Sequence, residues 1–428
     1  MKRLLYILVL AVVPWFSTSC EKDNFTNENE VELEFSVDTV AFDTLFTTIG
    51  STTRQVKVYN RSRKDVVISS VTLAGGQQSP FRLNVDGDTS LVARDVEIMA
   101  GDSIFIFIQA NLRYDTMRTL PFIVEDAIVF GNGQRLPVSA WGRNAVFHRA
   151  PEGSWAHVID CDHWDHTRPH VFLGTVAIDS TCTLTLNAGE EIYFADSAML
   201  LVWTGGKLVV NGTAEQPVLF TSLRHDGWYS FRPGQWQCVL FYKGSTGNVI
   251  DHAVVENGTG GLRAMYGADV TVSNTVVRNM SDCGLIGQGG AITGNNLLVY
   301  DCLASLTVFS GGSYSFTGCT FADYWTYSAR NLQSVVLTNC IRRADGAVIE
   351  AGDLLHADFT DCIIYGNYSE GEFLVAGVET HQLNYSLNHC LVRGGDWDED
   401  PMFEDATNDN YHLQEGSPAA GIGYQYDN

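Results

Sequence analysis

Lysine is scarce in this chain: six residues among 428, none of them after Lys243. Binding a polyanion draws on clustered Lys and Arg. With fifty Asp and Glu against twenty-six Lys and Arg, the formal charge is −24, so nucleic acid and polyanionic glycan are poor partners. The imbalance deepens toward the end, where seventeen acidic residues from Asp345 onward face only Arg393. Cysteine is missing between Cys20 and Cys161, so no disulfide can cross a domain built from that stretch. None of the later cysteines shows a C-x-x-C spacing, which argues against a thiolate metal site. One long apolar run exists, "LLYILVLAVVPWF", and it is short for a membrane span and interrupted by Pro14.

That run follows the basic "MKR" and precedes "STSC", the order of a secretion signal. Residues 17 to 20 resemble the lipobox of bacterial lipoproteins. The resemblance implies cleavage after Ser19, acylation of Cys20 and a mature charge of −26 once Lys2 and Arg3 are gone. The following "EKDN" resembles the acidic tether of outer-membrane and surface lipoproteins of Bacteroidetes. Residues 20–30 are therefore expected to be a disordered, lipidated tether, and the outer membrane is the expected address.

Residues 31–145 carry short period-2 segments such as "VKVYN", "VVISSVTL" and "SIFIFIQANL", separated by Gly, Asn and Asp turns. This pattern predicts an antiparallel β-sandwich of roughly seven strands. The stretch resembles the immunoglobulin-like modules of bacterial surface proteins, in which an "AGDS" turn precedes a long strand.

Residues 146–428 repeat. His252, Asn274, Asn295, Gly318, Asn339, Asp361 and His389 follow one another at 22, 21, 23, 21, 22 and 28 residues, each between two short apolar strands. Strands so short cannot bury a face alone, which predicts stacking, coil upon coil, in a parallel solenoid. The next positions, Ala253, Thr275, Asn296, Cys319, Cys340, Cys362 and Cys390, are expected to point inward, with the thiols reduced and buried. The coils "GGKLVVNGT" and "NVIDHAVVENG", with the "PGQW" loop, resemble a family of uncharacterised Bacteroidetes lipoproteins with a right-handed parallel β-helix. The closing "DPMFEDATNDNYHLQEGSPAAGIG" resembles the terminal coil of pectin-lyase-like β-helices. The fold class expected is all-β, an immunoglobulin-like sandwich followed by that helix.

β-Helices host lyases, hydrolases and plain binders alike. The "GHG" and "RIK" motifs of polygalacturonases do not occur here. A lyase needs a cationic base and a group that neutralises a uronate, often calcium. Only Arg263, Arg278, Arg330, Arg342 and Arg343 are cationic candidates in the coils, and no calcium motif is present. Arg342 is the anomaly, because it falls in the apolar column of Val255, Val277, Leu298, Phe321, Ile364 and Val392. With Asp345 and Glu350 it forms the weak catalytic candidate, against a bland reading as an ion pair or a register slip that exposes it.

His163, His166 and His170 in "DCDHWDHTRPH" would pass for a metal site by composition, but a capping segment is the preferred reading and no metal is expected. Tyr324, Trp325 and Tyr327 leave a coil in "FADYWTYSARN" and suit the apolar faces of sugar rings. The aromatics of "DGWYSFRPGQWQ" are assigned to the frame. The expected function is a lipid-anchored envelope protein that binds glycan or another surface component without catalysis. The alternative is a polysaccharide lyase or glycoside hydrolase acting on the solenoid face. No cofactor follows from the sequence, and the oligomeric state is open.

Overall fold

The computed structural model describes residues 25–114, 121–224 and 227–426, and the chain divides into two compact units after Asn144. The leader and the Cys20 lipidation site lie outside the described residues. Part of the expected tether is not free: Phe25–Thr26 pairs with Asp65 and Val66, and the Glu28 carboxylate accepts from the Ser69 amide at 2.8 Å.

In the N-terminal unit two sheets enclose one core. Leu33–Phe35, Arg54–Asn60, Ser103–Ala110 and Phe81–Val85 form one sheet in that order. The other contains Asp65–Leu73, Phe122–Phe130, Arg135–Arg143 and Val40–Phe46, with Val92–Ile98 beside Asp65–Leu73. Period-2 alternation decides which side chains are buried. In "SIFIFIQA", Ile104, Ile106, Ile108 and Ala110 turn inward, while Phe107 faces out. An Asn-Gly turn with Gly133 at φ +83° joins Phe122–Phe130 to Arg135–Arg143, a conformation that costs glycine little.

The second unit is built from long parallel sheets, compatible with a parallel β-helix. Each turn of chain supplies two strands to one sheet, joined at a bend, and one strand to another sheet. Asn248–Asp251, the bend at His252, Ala253–Glu256 and Leu262–Met265 make one such turn. Asp269–Arg278 then starts the next, pairing in parallel with both of the first two strands. Columns of like side chains result. Val255, Val277, Val299, Phe321, Ile364 and Val392 stack in register, and all six are buried. Each such side chain contributes about 1.5–3 kcal/mol by leaving water. Gly294 interrupts a neighbouring column because a Cβ there would lie 2.5 Å from the Phe316 ring.

The register corrects the sequence reading in two places. The bend of the third coil is Asn296, at φ +53°, so Leu297 points inward and Val299, rather than Leu298, enters the apolar column. Asn339 and Cys340 are not in these columns at all. Gly312–Thr317 pairs directly with Leu354–Thr360, and the chain between includes an inserted antiparallel hairpin, Cys340–Arg342 with Val348–Ala351. After the last coil the chain turns back. Gly423 donates to the Asp361 carbonyl at 2.8 Å, Tyr424 to Thr320 Oγ1 at 2.9 Å and Gln425 to Asn296 Oδ1 at 2.7 Å. Phe403, Tyr411, Ala419 and Ile422 thereby cover Leu298, Tyr300, Ala322 and Ile363 in a second, smaller core.

Candidate functional site

A cavity of about 400 Å³ opens where three segments meet in the second unit. Phe231 comes from the loop after Gly227–Tyr229, Trp325 to Tyr327 from the loop after Thr320–Asp323, and Thr407 to Asp409 from the returning C-terminal segment. Asp301 lines it from the coil.

A second ladder of bends positions these groups. Asn257, Asn279 and Asp301 stand 22 residues apart, at φ +66°, +56° and +49°, conformations in which Asn and Asp are enriched. Asn279 Nδ2 donates to Asn257 Oδ1 at 2.6 Å and to the Phe231 carbonyl at 2.9 Å. Asn257 Nδ2 donates to the Ser230 carbonyl at 3.1 Å, and the Tyr327 hydroxyl reaches the Phe231 carbonyl. The ladder thus holds the aromatic loop in place. At its third rung the amide becomes an acid. Asp301 shares the cavity wall with Asp409 and accepts from the Tyr411 hydroxyl at 3.2 Å. Burial, then the nearby Asp409 carboxyl, push Asp301 up to about 7.

The cations nearby are engaged. Arg232 stacks 3.6 Å over the Trp228 ring and 5.2 Å from that of Tyr327. Arg278 donates to Glu256 at 2.7 Å and to the Tyr300 hydroxyl at 2.9 Å, and lies 3.9 Å from Asp409.

The loop carrying Trp325 and Tyr327 is pinned by a buried ion pair. Arg330 donates through both terminal nitrogens to Glu372 at 2.7 and 2.8 Å and to the Asp323 carbonyl at 2.8 Å. Glu372 also accepts from the Ser334 amide and hydroxyl, both at 2.9 Å. Asp323 accepts from the Cys302 amide and the Ser305 hydroxyl, and its burial pushes it up to about 7.

The three expected sugar-facing aromatics have different fates. Tyr324 is half-buried against Phe403 and Tyr411. Trp325 lines the cavity but is only 6 % exposed, its indole donating to Ser328 at 2.8 Å. Tyr327 is open to solvent. Phe231, 73 % exposed, and Trp228, 63 % exposed, were assigned to the frame by sequence, although Trp236 of the same stretch is fully buried. The 22-residue spacing of Asn257, Asn279 and Asp301 was the signal that could have located the acid.

Arg342, Asp345 and Glu350 sit on the inserted hairpin. Arg342 is exposed and donates to the Gly346 carbonyl at 3.0 Å, and Asp345 caps the Ala347 amide at 3.0 Å. Among the described residues no ion pair joins Arg342 to Asp345, Glu350 or Asp361.

His163, His166 and His170 also separate. His163 pairs with Asp160 at 2.9 Å and His166 with Glu190 at 2.7 Å. His170 instead joins a chain of imidazoles beside a cavity of about 290 Å³. His170 Nε2 meets the Asp165 carbonyl at 2.7 Å, which makes that nitrogen the donor. Its Nδ1 then accepts from His148 Nε2 at 2.8 Å, and His148 Nδ1 accepts from His157 Nε2 at 3.1 Å. His148 and His170 are neutral in this arrangement. Burial holds His148 down at about 3 and His170 at about 4. Cys161 and Cys182, in the same region, form a disulfide that sequence reasoning did not anticipate. No group of three or more His, Cys, Asp or Glu among the described residues is arranged to hold a metal. A cavity of about 520 Å³ in the N-terminal unit is lined by Phe81, Leu83, Leu91 and Phe107, together with Arg82.

No family model and no curated protein matches this chain. Among solved structures, the alkylpurine DNA glycosylase AlkC of Pseudomonas fluorescens, bound to DNA containing an abasic site analog, aligns at 11% identity with a TM-score of 0.17. The alignment covers 27% of this chain and 30% of that one. A likeness at that level carries no argument about fold or function.

Proposed function

We propose that this is a lipid-anchored protein of the cell envelope whose β-helical unit binds glycan without catalysis. The observation that carries the reading is the cavity in which the exposed Phe231 and Tyr327 meet Thr407, Asn408, Asp301 and Asp409. Aromatic faces take the apolar side of a sugar ring, and the surrounding hydroxyl, amide and carboxyl groups take its hydroxyls. Anchoring rests on the lipobox at Cys20, and the Cys161–Cys182 disulfide supports an oxidising compartment outside the cytosol. The N-terminal unit, two sheets on one core, is read as an immunoglobulin-like spacer, in keeping with the Bacteroidetes lipoprotein resemblance.

Hydrolysis is the weaker reading because the "GHG" and "RIK" motifs of polygalacturonases do not occur in the sequence. Lyase chemistry lacks a free base, since Arg232 and Arg278 are both engaged. Incubating the mature protein with a glycan array, followed by product analysis on every polysaccharide retained, tests the proposal. Retention without new chain ends is expected. Depolymerisation, or retention of no glycan at all, would overturn it.

A further inference from the structure

We propose that the last coil of the parallel-sheet unit is a docking edge for an extended cationic polypeptide segment, which adds a strand to it and covers Tyr385 and Leu387. The edge shares no residue with the glycan cleft and does not rest on that reading.

The column Val272, Gly294, Phe316 and Phe359 runs from coil to coil in register, and its next member is Leu387. Phe359 is fully buried, but Leu387 is 38 % exposed because no further coil lies on it. Two neighbouring columns end alike. Val335 is followed by Phe373 and Leu337 by Val375, and both successors are only half-buried. Tyr385, its ring 5.7 Å from that of Phe373, is 49 % exposed. Among the described residues Phe373–Ala376 and Ser386–Asn388 each pair with a strand on one side only. Their other edges offer backbone amides and carbonyls to a further strand. The C-terminal segment does not supply it, because that segment turns back and packs on Leu298, Tyr300, Ala322 and Ile363.

Charge names the occupant. The Val392 amide donates to the Trp397 carbonyl at 2.9 Å and the Trp397 ring lies 5.3 Å from that of His389, so the segment after Val392 is held beside this coil. Its acids Asp396, Asp398, Glu399 and Asp400 are exposed, as is Glu379 in the loop before Ser386–Asn388. Arg393 is committed to the Gly366 carbonyl, and His389 is bonded to Asp361 at 2.6 Å. A second copy of this end would bring the same acids against these and be repelled. A strand bearing Lys or Arg answers them, pairs through its backbone and lays alternate apolar side chains on Tyr385 and Leu387.

The test is fluorescence anisotropy of the full mature protein with labelled peptides. One alternates Val and Lys, one alternates Val and Glu, and one is the Val and Lys peptide with two Val replaced by Pro. The first should bind, about tenfold more weakly at about 0.5 M salt than at about 0.05 M. The Glu peptide meets like charge and the Pro peptide lacks ladder donors, so neither should bind. Leu387→Asp adds an acid yet should abolish binding, whereas attraction by charge alone would grow. Tyr385→Ala removes an exposed ring at constant charge and should weaken binding about tenfold, which answers the question even if Leu387→Asp fails to fold. Failure of the Val and Lys peptide to bind, equal binding of either control, or binding untouched by both substitutions overturns the inference. A dimer in sedimentation that Leu387→Asp disperses would give the edge to a second copy and overturn it as well.

Discussion

The thiol of Cys319 donates to the carbonyl of Thr317 at 3.3 Å, bridging the bend at Gly318. Cys362 does the same to Thr360 at 3.3 Å and Cys390 to Asn388 at 3.4 Å. Thr275 uses its hydroxyl on Ser273 at 2.7 Å, and at the other bend Cys302 reaches Tyr300 at 3.3 Å. A short side chain with one hydrogen to give, placed just after a left-handed bend, adds a second hydrogen bond to a carbonyl that, at Ser273, Tyr300, Thr360 and Asn388, already accepts a backbone amide of a neighbouring coil. The recurring cysteine is architecture. Native alkylation should therefore spare Cys319, Cys362 and Cys390, since they are buried and burial pushes the Cys362 thiol well up. Mass spectrometry before and after denaturation reads this out. Fast native labelling of all three would mean the column points outward.

Exposure separates the aromatics. Phe231→Ala should leave the melting temperature unchanged and weaken glycan binding by about tenfold, the loss of one stacking face. Trp325→Ala should instead destabilise the fold by about 3 kcal/mol, because a buried indole is removed. Equal melting curves for the two variants would contradict the cleft geometry.

The arginines divide in the same way. Arg330→Ala strands Glu372 as a buried carboxylate and should cost about 3–5 kcal/mol in urea unfolding. Arg342→Ala, on the exposed hairpin, should change stability by no more than about 0.5 kcal/mol. A larger effect at Arg342 than at Arg330 would reverse the assignment of which cation is structural.

Cys20 carries the anchor in the proposed function, and Cys20→Ala should abolish fatty-acid labelling and release the protein from membranes. Continued membrane retention of that variant would mean another segment holds it.

The coil period was legible because inward columns accept only apolar or small side chains, and 22 residues of chain separate most of them. What misled was local mimicry. In "GNNLL" either asparagine can occupy a bend, and only the backbone decides for Asn296. "TNC" at Thr338 to Cys340 copies the bend motif, yet Asn339 accepts from the Val378 amide at 2.8 Å and donates to the Val378 and His381 carbonyls. Insertion of the hairpin supplied the false rung. The cleft was half legible: Trp325 and Tyr327 stand out as loop aromatics, but Asp409 lines the same cavity as Asp301 only because the C-terminal segment folds back over the coils. No spacing in the sequence encodes that return.

The pH dependence of stability should reveal two opposed sets of buried groups. His148 at about 3 and His170 at about 4 lie below the ordinary 6.5, so the unfolded chain takes up protons from about pH 6.5 downward while the fold does not. Their contribution is complete above about 6.5 and is lost as pH falls, at about 1.4 kcal/mol per unit for each ring. Asp301 and Asp323, raised from 3.8 to about 7, act the other way: their contribution is complete below about 4 and is lost as pH rises to about 7. Between about pH 4 and 6.5 the two pairs pull with nearly equal slopes, which flattens their joint contribution. Single substitutions should then tilt it in opposite directions. Asp301→Asn should make stability rise with pH across that window relative to the parent, and His148→Gln should make it fall. Urea unfolding of the three proteins at about pH 4.5 and 6 measures the tilts directly. Parallel profiles would mean that neither group titrates differently in the folded and unfolded states.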